Sequence, residues 1–365
     1  MKLTNIELRK LEIPFRVSFR HASAERSVTE TVIAIAHSET GLKGYGEGCP
    51  RQYVTGENIE SCTNFLDLYR HVIQEIRGTT DLKAFVDNNT HVIDKHPSAW
   101  CAIEIALLDL IGKEENTSIE AVLGLPEINE KFEYTAVLGI SKPKIFQSQL
   151  EMYLKFGFRD FKIKISGDAV NDATNIKGVL GTEPNAKIRL DANNLWKGCD
   201  EAHEYLSALQ PYFWSIEEPL KAGDYSGLQK LALQQNCKIV LDESLLTLQQ
   251  LDELQENPEI WVPNIRISKM GGLLRSLAIA SECAKRGMSF IVGAQVGETS
   301  LLTRTALPLA NRYIANVIAQ EGAFGTYLLE RDITDKPIMF STYGRLTLIP
   351  ESKDGLGVHV DDLTF

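Results

Sequence analysis

Residues 1 to about 55 alternate apolar and polar positions, as in IELRKLEIPF and TVIAIAHSE, with GLKGYGEG following, and this period of two predicts an antiparallel sheet. From Asn58 to Leu123 the period becomes helical. SAWCAIEIALLDLIGK is apolar around most of its circumference, so it predicts a buried helix. From Tyr134 the rhythm changes again, to short apolar runs separated by longer amphipathic stretches: YTAVLG, FKIKIS, KIRLDAN, FWSIEE, KIVLDES, NIRISK, SFIVGAQ and ANVIAQEG. Strands alternating with helical stretches at this spacing predict a parallel (β/α) barrel. An open doubly wound sheet would need a glycine-rich phosphate turn after its first strand, and Gly139 in VLGISKP offers none. The last segment, YGRLTLIP to LTF, reads as extended structure returning to the first domain. The expected fold is therefore α/β: a barrel of the (β/α)7β type over 129–339, with an α+β capping domain over 1–128 that the segment from about 340 to 365 completes.

The barrel reading gives three acids a shared position. Asp191 in KIRLDANN, Glu217 in FWSIEEP and Asp242 in KIVLDES end successive strands, about 25 residues apart, the length of one βα unit, at the C-terminal ends where barrels keep their chemistry. Three hard oxygen ligands suit Mg²⁺, which leaves positions open for water and substrate. In FKIKI, alternation puts Lys162 and Lys164 on one face and Ile163 and Ile165 on the other. Two ammonium groups this close repel, and with partial desolvation that repulsion is expected to lower the pKa of one toward a useful base. Lysines and acids aimed into one mouth point to proton removal next to a carboxylate, with Lys164 as base, Lys162 beside it, and the metal stabilising the enediolate.

Bulk properties exclude other classes. The chain has 365 residues, room for a barrel of about 200–250 plus a smaller domain. A net charge of −11 without a Lys/Arg-rich run speaks against nucleic acid as partner. No apolar run reaches the roughly 18 residues of a membrane span. Cys49, Cys62, Cys101, Cys199, Cys237 and Cys283 are scattered singly, and MKLTNIELRK runs directly into a strand pattern, so a reduced, cytoplasmic protein is expected.

GYGEGCP, YVTGE, SAWCAIEIALLDLIGK, the KIK pair, DAN, EEP, DES and KMGG together resemble the enolase superfamily. The likeness is to its muconate lactonising enzyme subgroup, which includes dipeptide epimerases, N-acylamino acid racemases and o-succinylbenzoate synthases, and it covers nearly the whole chain. It implies one Mg²⁺ per chain held by Asp191, Glu217 and Asp242, Lys164 as base, a small carboxylate substrate and a homo-oligomer. Asn193 is expected to orient a ligand, and Glu243 to pair structurally beside one.

Two positions depart from the family. Epimerases of the subgroup carry a second lysine on the sixth strand, where this chain reads NIRISKMGG. Alternation groups Asn264, Arg266 and Ser268 on one face, which aims Arg266 into the site and leaves Lys269 off that row. A guanidinium stays protonated at neutral pH, so the reading shifts from two-base epimerisation to one-base lyase or isomerase chemistry. The alternatives are an epimerase or racemase served by Lys269 or a water, and a non-catalytic metal-binding relative in which Arg266 is paired with Asp242 or Glu243. At the eighth strand, in place of an Asp-x-Asp pair for a substrate ammonium, IAQEGAFGTYLL supplies Glu321, with Glu298 of GAQVGETS as a second candidate. Arg16, Arg20, His21 and Arg26, with the turn from Arg51 to Thr55, are the candidate lid residues.

Overall fold

The computed structural model describes residues 1–21 and 24–361, and within 17–26 the backbone alone. Strand Leu3–Leu11 pairs antiparallel with Thr31–Ser38, which pairs antiparallel with Lys43–Gly48. Helix Pro97–Glu114, buried along nearly its whole length as its composition predicts, lies on this sheet. The glycines of GYGEG allow that approach. A Cβ on Gly44, Gly46 or Gly48 would stand 2.1, 2.1 or 2.0 Å from the carbonyl oxygens of Ala106, Ala102 and Ser98, closer than any side chain tolerates. These glycines serve close packing of strand on helix, a role the alternation pattern did not reveal.

Eight parallel strands follow in sequential order: Ala136–Leu138, Asp160–Lys164, Lys187–Asp191, Ser215–Glu217, Lys238–Leu241, Trp261–Arg266, Phe290–Gly293 and Val317–Gln320. They are called here the first to eighth barrel strands. The first and last meet where Thr135 N–H donates to Gln320 O at 2.7 Å. α-Helices follow every strand except the fifth, which leads into 3₁₀ turns at Gln249–Leu254 and Pro258–Ile260, and the eighth, which leads into the 3₁₀ turn Gly325–Tyr327. The expected barrel with its antiparallel N-terminal layer is therefore present, with 3₁₀ turns in place of one expected helix.

Val240, Val262, Ile291 and Ala319, on the fifth to eighth barrel strands, pack together as a small apolar cluster. On the second and third strands the buried cations Lys162 and Arg189 are in register. Buried acids fasten the N-terminal layer to the barrel. Glu47 accepts hydrogen bonds from Thr299 N and Oγ1 and from Leu302 N at the start of helix Ser300–Arg312. Glu104 accepts from Leu274 N at the start of helix Leu273–Lys285. Carboxylates at helix N-termini satisfy N–H groups that have no partner within the helix. Near the C-terminus, Arg345–Thr347 pairs antiparallel with Lys131–Glu133, and Leu356 N–H donates to Asp109 Oδ1 at 2.8 Å. All six cysteines are free thiols. Among the described residues no helix is long and apolar enough to cross a membrane.

Candidate active site

Register places Lys164, Asp191 and Glu217 side by side at the C-terminal ends of the second, third and fourth strands. Asp242 follows the last residue of the fifth strand, and Arg266 ends the sixth. All five are buried. Lys162 lies one layer below, and its ammonium reaches Asp191 Oδ2 at 3.1 Å, Glu217 Oε2 at 2.8 Å and Glu321 Oε1 at 3.3 Å. Lys164 Nζ donates to Asn193 Oδ1 at 2.7 Å and to Asp191 Oδ2 at 2.9 Å. Arg266 Nη2 sits 2.5 Å from Asp242 Oδ2 and 3.6 Å from Glu217 Oε1, and Nη1 donates to Gln295 Oε1 at 3.0 Å.

Among the described residues, no three carboxylate, imidazole or thiol groups close on one point as a metal cage. The reason is visible in the ion pairs. The Lys162 ammonium stands between Asp191 and Glu217, and the Arg266 guanidinium between Glu217 and Asp242.

Burial favours the neutral forms of all these groups, and the pairing decides which of them resist. Burial would raise Asp191, but Lys162 and Lys164 outweigh it and hold the carboxyl well below its usual range. Glu217 is pushed up, by burial first and then by Asp191, Glu321 and Asp242, against the attraction of Lys162. Burial would lower Lys162, yet Asp191, Glu217 and Glu321 together raise it. Three carboxylates enclose the Lys162 ammonium, so it stays a cation one layer beneath Lys164. Arg266 is likewise raised, since Asp242, Glu321 and Glu217 outweigh its burial, and it is a fixed cation.

Lys269 corrects the alternation argument. The sixth strand ends at Arg266, and Ile267–Met270 forms a helical turn closed by Gly271 at φ 80°, so a period of two no longer applies. The turn brings the buried Lys269 Nζ to Asp242 as well, 3.0 Å from Oδ1 and 2.7 Å from the carbonyl oxygen. Burial and the Arg266 charge lower its pKa, against the pull of Asp242.

The expected acids for a substrate ammonium are placed differently. Glu321 lies inside the barrel, held by Lys162 and by a very short contact with Arg189 Nη2. Glu298 Oε1 accepts from Gln295 N at 2.6 Å. Burial pushes its carboxyl up to about 8 despite that bond, and Glu47 adds to the rise. Glu243 Oε2 has no hydrogen-bond partner among the described residues, and burial with Asp242 and Glu218 raises this carboxyl well above normal against the attraction of Arg266. Its neighbour in the EEP motif does pair: Glu218, at φ 40°, accepts from Asp242 N, Ser244 N and Ser244 Oγ and so fixes the DES turn.

Both lid arginines with described side chains are bound to backbone. Arg16 donates to the carbonyls of Thr326, Leu329 and Glu330, and Arg51 to those of Thr29, Glu30, Pro50 and Val296. They fasten the N-terminal layer to the loops after the seventh and eighth barrel strands. The side chains of Arg20, His21 and Arg26 lie outside the described residues.

Arg189 and Gln295 escaped sequence reasoning, and Asn264, which alternation placed on the face of Arg266, gains a partner. Arg189, fully buried, pairs with Glu321 and lies 3.9 Å from Glu217 Oε2. Asn264 Nδ2 donates to Glu217 Oε1 at 3.3 Å, and Gln295 receives Arg266. Arg189 precedes Asp191 by two residues and Asn264 precedes Arg266 by two, so strand alternation carried a signal for both.

Residues 146–364 match the model of the enolase C-terminal domain-like family, and residues 3–124 that of the mandelate racemase / muconate lactonizing enzyme N-terminal domain. The chain belongs to the enolase superfamily. It is 30% identical to a hydrophobic dipeptide epimerase of Enterococcus faecalis, over 85% of this chain and 87% of that protein. It is 26% identical to an N-succinyl-L-Arg/Lys racemase of Bacillus cereus, over 100% of this chain and 97% of that one. The solved structure of the Enterococcus faecalis dipeptide epimerase complexed with Mg and the dipeptide L-Leu-L-Tyr superimposes with a TM-score of 0.86 at 27% identity, covering 98% of this chain and 99% of that one. As a member of the superfamily the chain is an enzyme, and the non-catalytic alternative is set aside.

Proposed function

We propose that this enzyme is Mg²⁺-dependent and removes the α-proton of a small carboxylate substrate on one face only, with Lys164 as base, in lyase or isomerase chemistry. The observation that carries the reading is the opposition of Lys164 and Arg266, on the second and sixth of eight barrel strands, across a cluster of buried acids.

The donor set fits a hard divalent ion. Asp191, Glu217 and Asp242 offer buried carboxylate oxygens from neighbouring strand ends, and two side-chain cations already stand between them as stand-ins. Glu217 Oε2 lacks a hydrogen-bond donor; Lys162 lies 2.8 Å away, but off the bonding direction, as an ion pair. These three acids would hold Mg²⁺, which when bound supplies positive charge against the negative charge that builds up as the α-proton leaves.

Asn193 and Asp191 aim the Lys164 amine. Lys164 takes the proton and can return it to the same face or leave it in solvent as a leaving group departs. Arg266 stays charged and cannot remove a proton from the other face. Syn elimination, dehydration and cycloisomerisation all meet these conditions. A second reading, two-face epimerisation, is favoured by the names of the relatives and by the lowered pKa of Lys269. Against it, both hydrogen bonds of Lys269 go to Asp242.

The test is solvent exchange in D₂O with Mg²⁺, read by mass spectrometry across dipeptides, N-acyl amino acids, acid sugars and o-succinylbenzoate precursors. Exchange or elimination that disappears in Lys164→Ala supports the reading. Turnover that survives Lys164→Ala refutes it.

A further inference from the structure

Two of the three acids in the cluster are tied to a side chain that has somewhere else to go. The Arg266 guanidinium occupies Asp242 Oδ2 at 2.5 Å and reaches Glu217 Oε1 at 3.6 Å. It also holds a neutral partner, Gln295 Oε1, at 3.0 Å. Its Nε has no hydrogen-bond partner, and neither does Gln295 Nε2, although both residues are more than nine-tenths buried. Two donors without a partner therefore belong to two side chains that touch each other. Lys162 differs, because Glu321 and the strand interior fix it in place. Lys269 differs as well, bonded to both the side chain and the carbonyl of Asp242.

A guanidinium and a divalent cation repel strongly at the separation that sharing one carboxylate requires. Buried unpaired donors are costly and call for an acceptor. We propose that Arg266 is a displaceable counter-cation: it neutralises Asp242 and Glu217 in the metal-free enzyme and leaves them when the metal arrives. With Gln295 Nε2 it then binds an anionic group that the substrate carries in addition to its α-carboxylate. This inference rests on the Mg²⁺ reading above and narrows its substrate class to compounds with a second anionic group. The two ligands are thereby coupled, and coupling is reciprocal: the anion tightens the metal and the metal tightens the anion.

The test is calorimetric titration of Mg²⁺ into the metal-free full-length protein, without turnover, in the presence of succinate as dicarboxylate probe or acetate as monocarboxylate control, at matched free Mg²⁺ and ionic strength. Succinate should tighten Mg²⁺ binding roughly fivefold or more, within the usual range of site-to-site coupling, and acetate should not. Arg266→Gln should bind Mg²⁺ about tenfold tighter than the unaltered protein without any anion and lose the succinate effect, because the competing charge is gone. Arg266→Lys, which keeps the charge, should stay close to the unaltered protein. Equal or weaker Mg²⁺ binding by Arg266→Gln, or no succinate effect in the unaltered protein, overturns the proposal. The second criterion holds even if Arg266→Gln fails to fold. Failure of the underlying metal reading looks different: the unaltered protein takes up no Mg²⁺, or Asp242→Asn takes it up equally well.

Discussion

Glu47 offers a test of how the N-terminal layer is fastened to the barrel. Its carboxyl is fully buried and faces the start of helix Ser300–Arg312, where Thr299 N lies 3.0 Å from Oε1, and Thr299 Oγ1 and Leu302 N lie 2.7 and 3.2 Å from Oε2. Burial drives its pKa from 4.5 up to about 7 despite these donors. A carboxyl raised on folding favours the fold while protonated. Its contribution is complete below the unfolded value and is lost as pH rises from 4.5 toward about 7. The loss amounts to about 3 kcal/mol, at roughly 1.4 kcal/mol per pH unit. Glu47→Gln removes the titration but turns an amide N–H₂ toward one of the donors, which costs about 1–2 kcal/mol at every pH. Urea unfolding between pH 4 and 9 should therefore show a crossover, with the variant less stable by about 1–2 kcal/mol near pH 4 and more stable by a similar amount above pH 8. A variant less stable by a constant amount across the whole range would refute the reasoning, and would mean that Thr299 and Leu302 hold Glu47 ionised.

Arg304 donates from Nη1 and Nη2 to Glu120 at 2.7 and 3.0 Å and from Nε to Leu356 O at 2.6 Å, all buried. Arg304→Met leaves the Glu120 charge unpaired and should cost about 3–5 kcal/mol in urea unfolding; a loss under about 1 kcal/mol contradicts that pairing. Gly46→Ala drives a Cβ to 2.1 Å from Ala102 O, and should lower the unfolding temperature sharply or abolish soluble expression through overpacking. A normal melting curve would mean that the sheet and helix Pro97–Glu114 separate more easily than their packing implies.

Strand-end acids were legible because a period of two and the length of a βα unit fix both their face and their level. That logic extends to Lys162, Lys164 and Arg266, which the structure brings against Asp191, Glu217 and Asp242. It failed at Lys269, where the strand gives way to a helical turn three residues earlier and alternation loses its meaning. It was also incomplete for Glu321, whose partners Lys162 and Arg189 come from the other side of the sequence and convert an expected substrate contact into an internal ion pair. Arg16 and Arg51 find their acceptors about 310 and 245 residues away, so no local pattern could show that they fasten loops. The glycines of GYGEG likewise respond to a helix about fifty residues downstream.

In the proposed reaction one face of the substrate meets a base and the other a fixed cation. Its most direct test is the stereochemistry of deuterium incorporation in D₂O for whichever substrate exchanges its α-proton. Deuterium should be delivered to, or the proton lost from, a single face with configuration retained, and all exchange should be gone in Lys164→Ala. Deuterated product of both configurations from the unaltered enzyme would contradict it, because a second titrating group would then have to serve the face that Arg266 occupies.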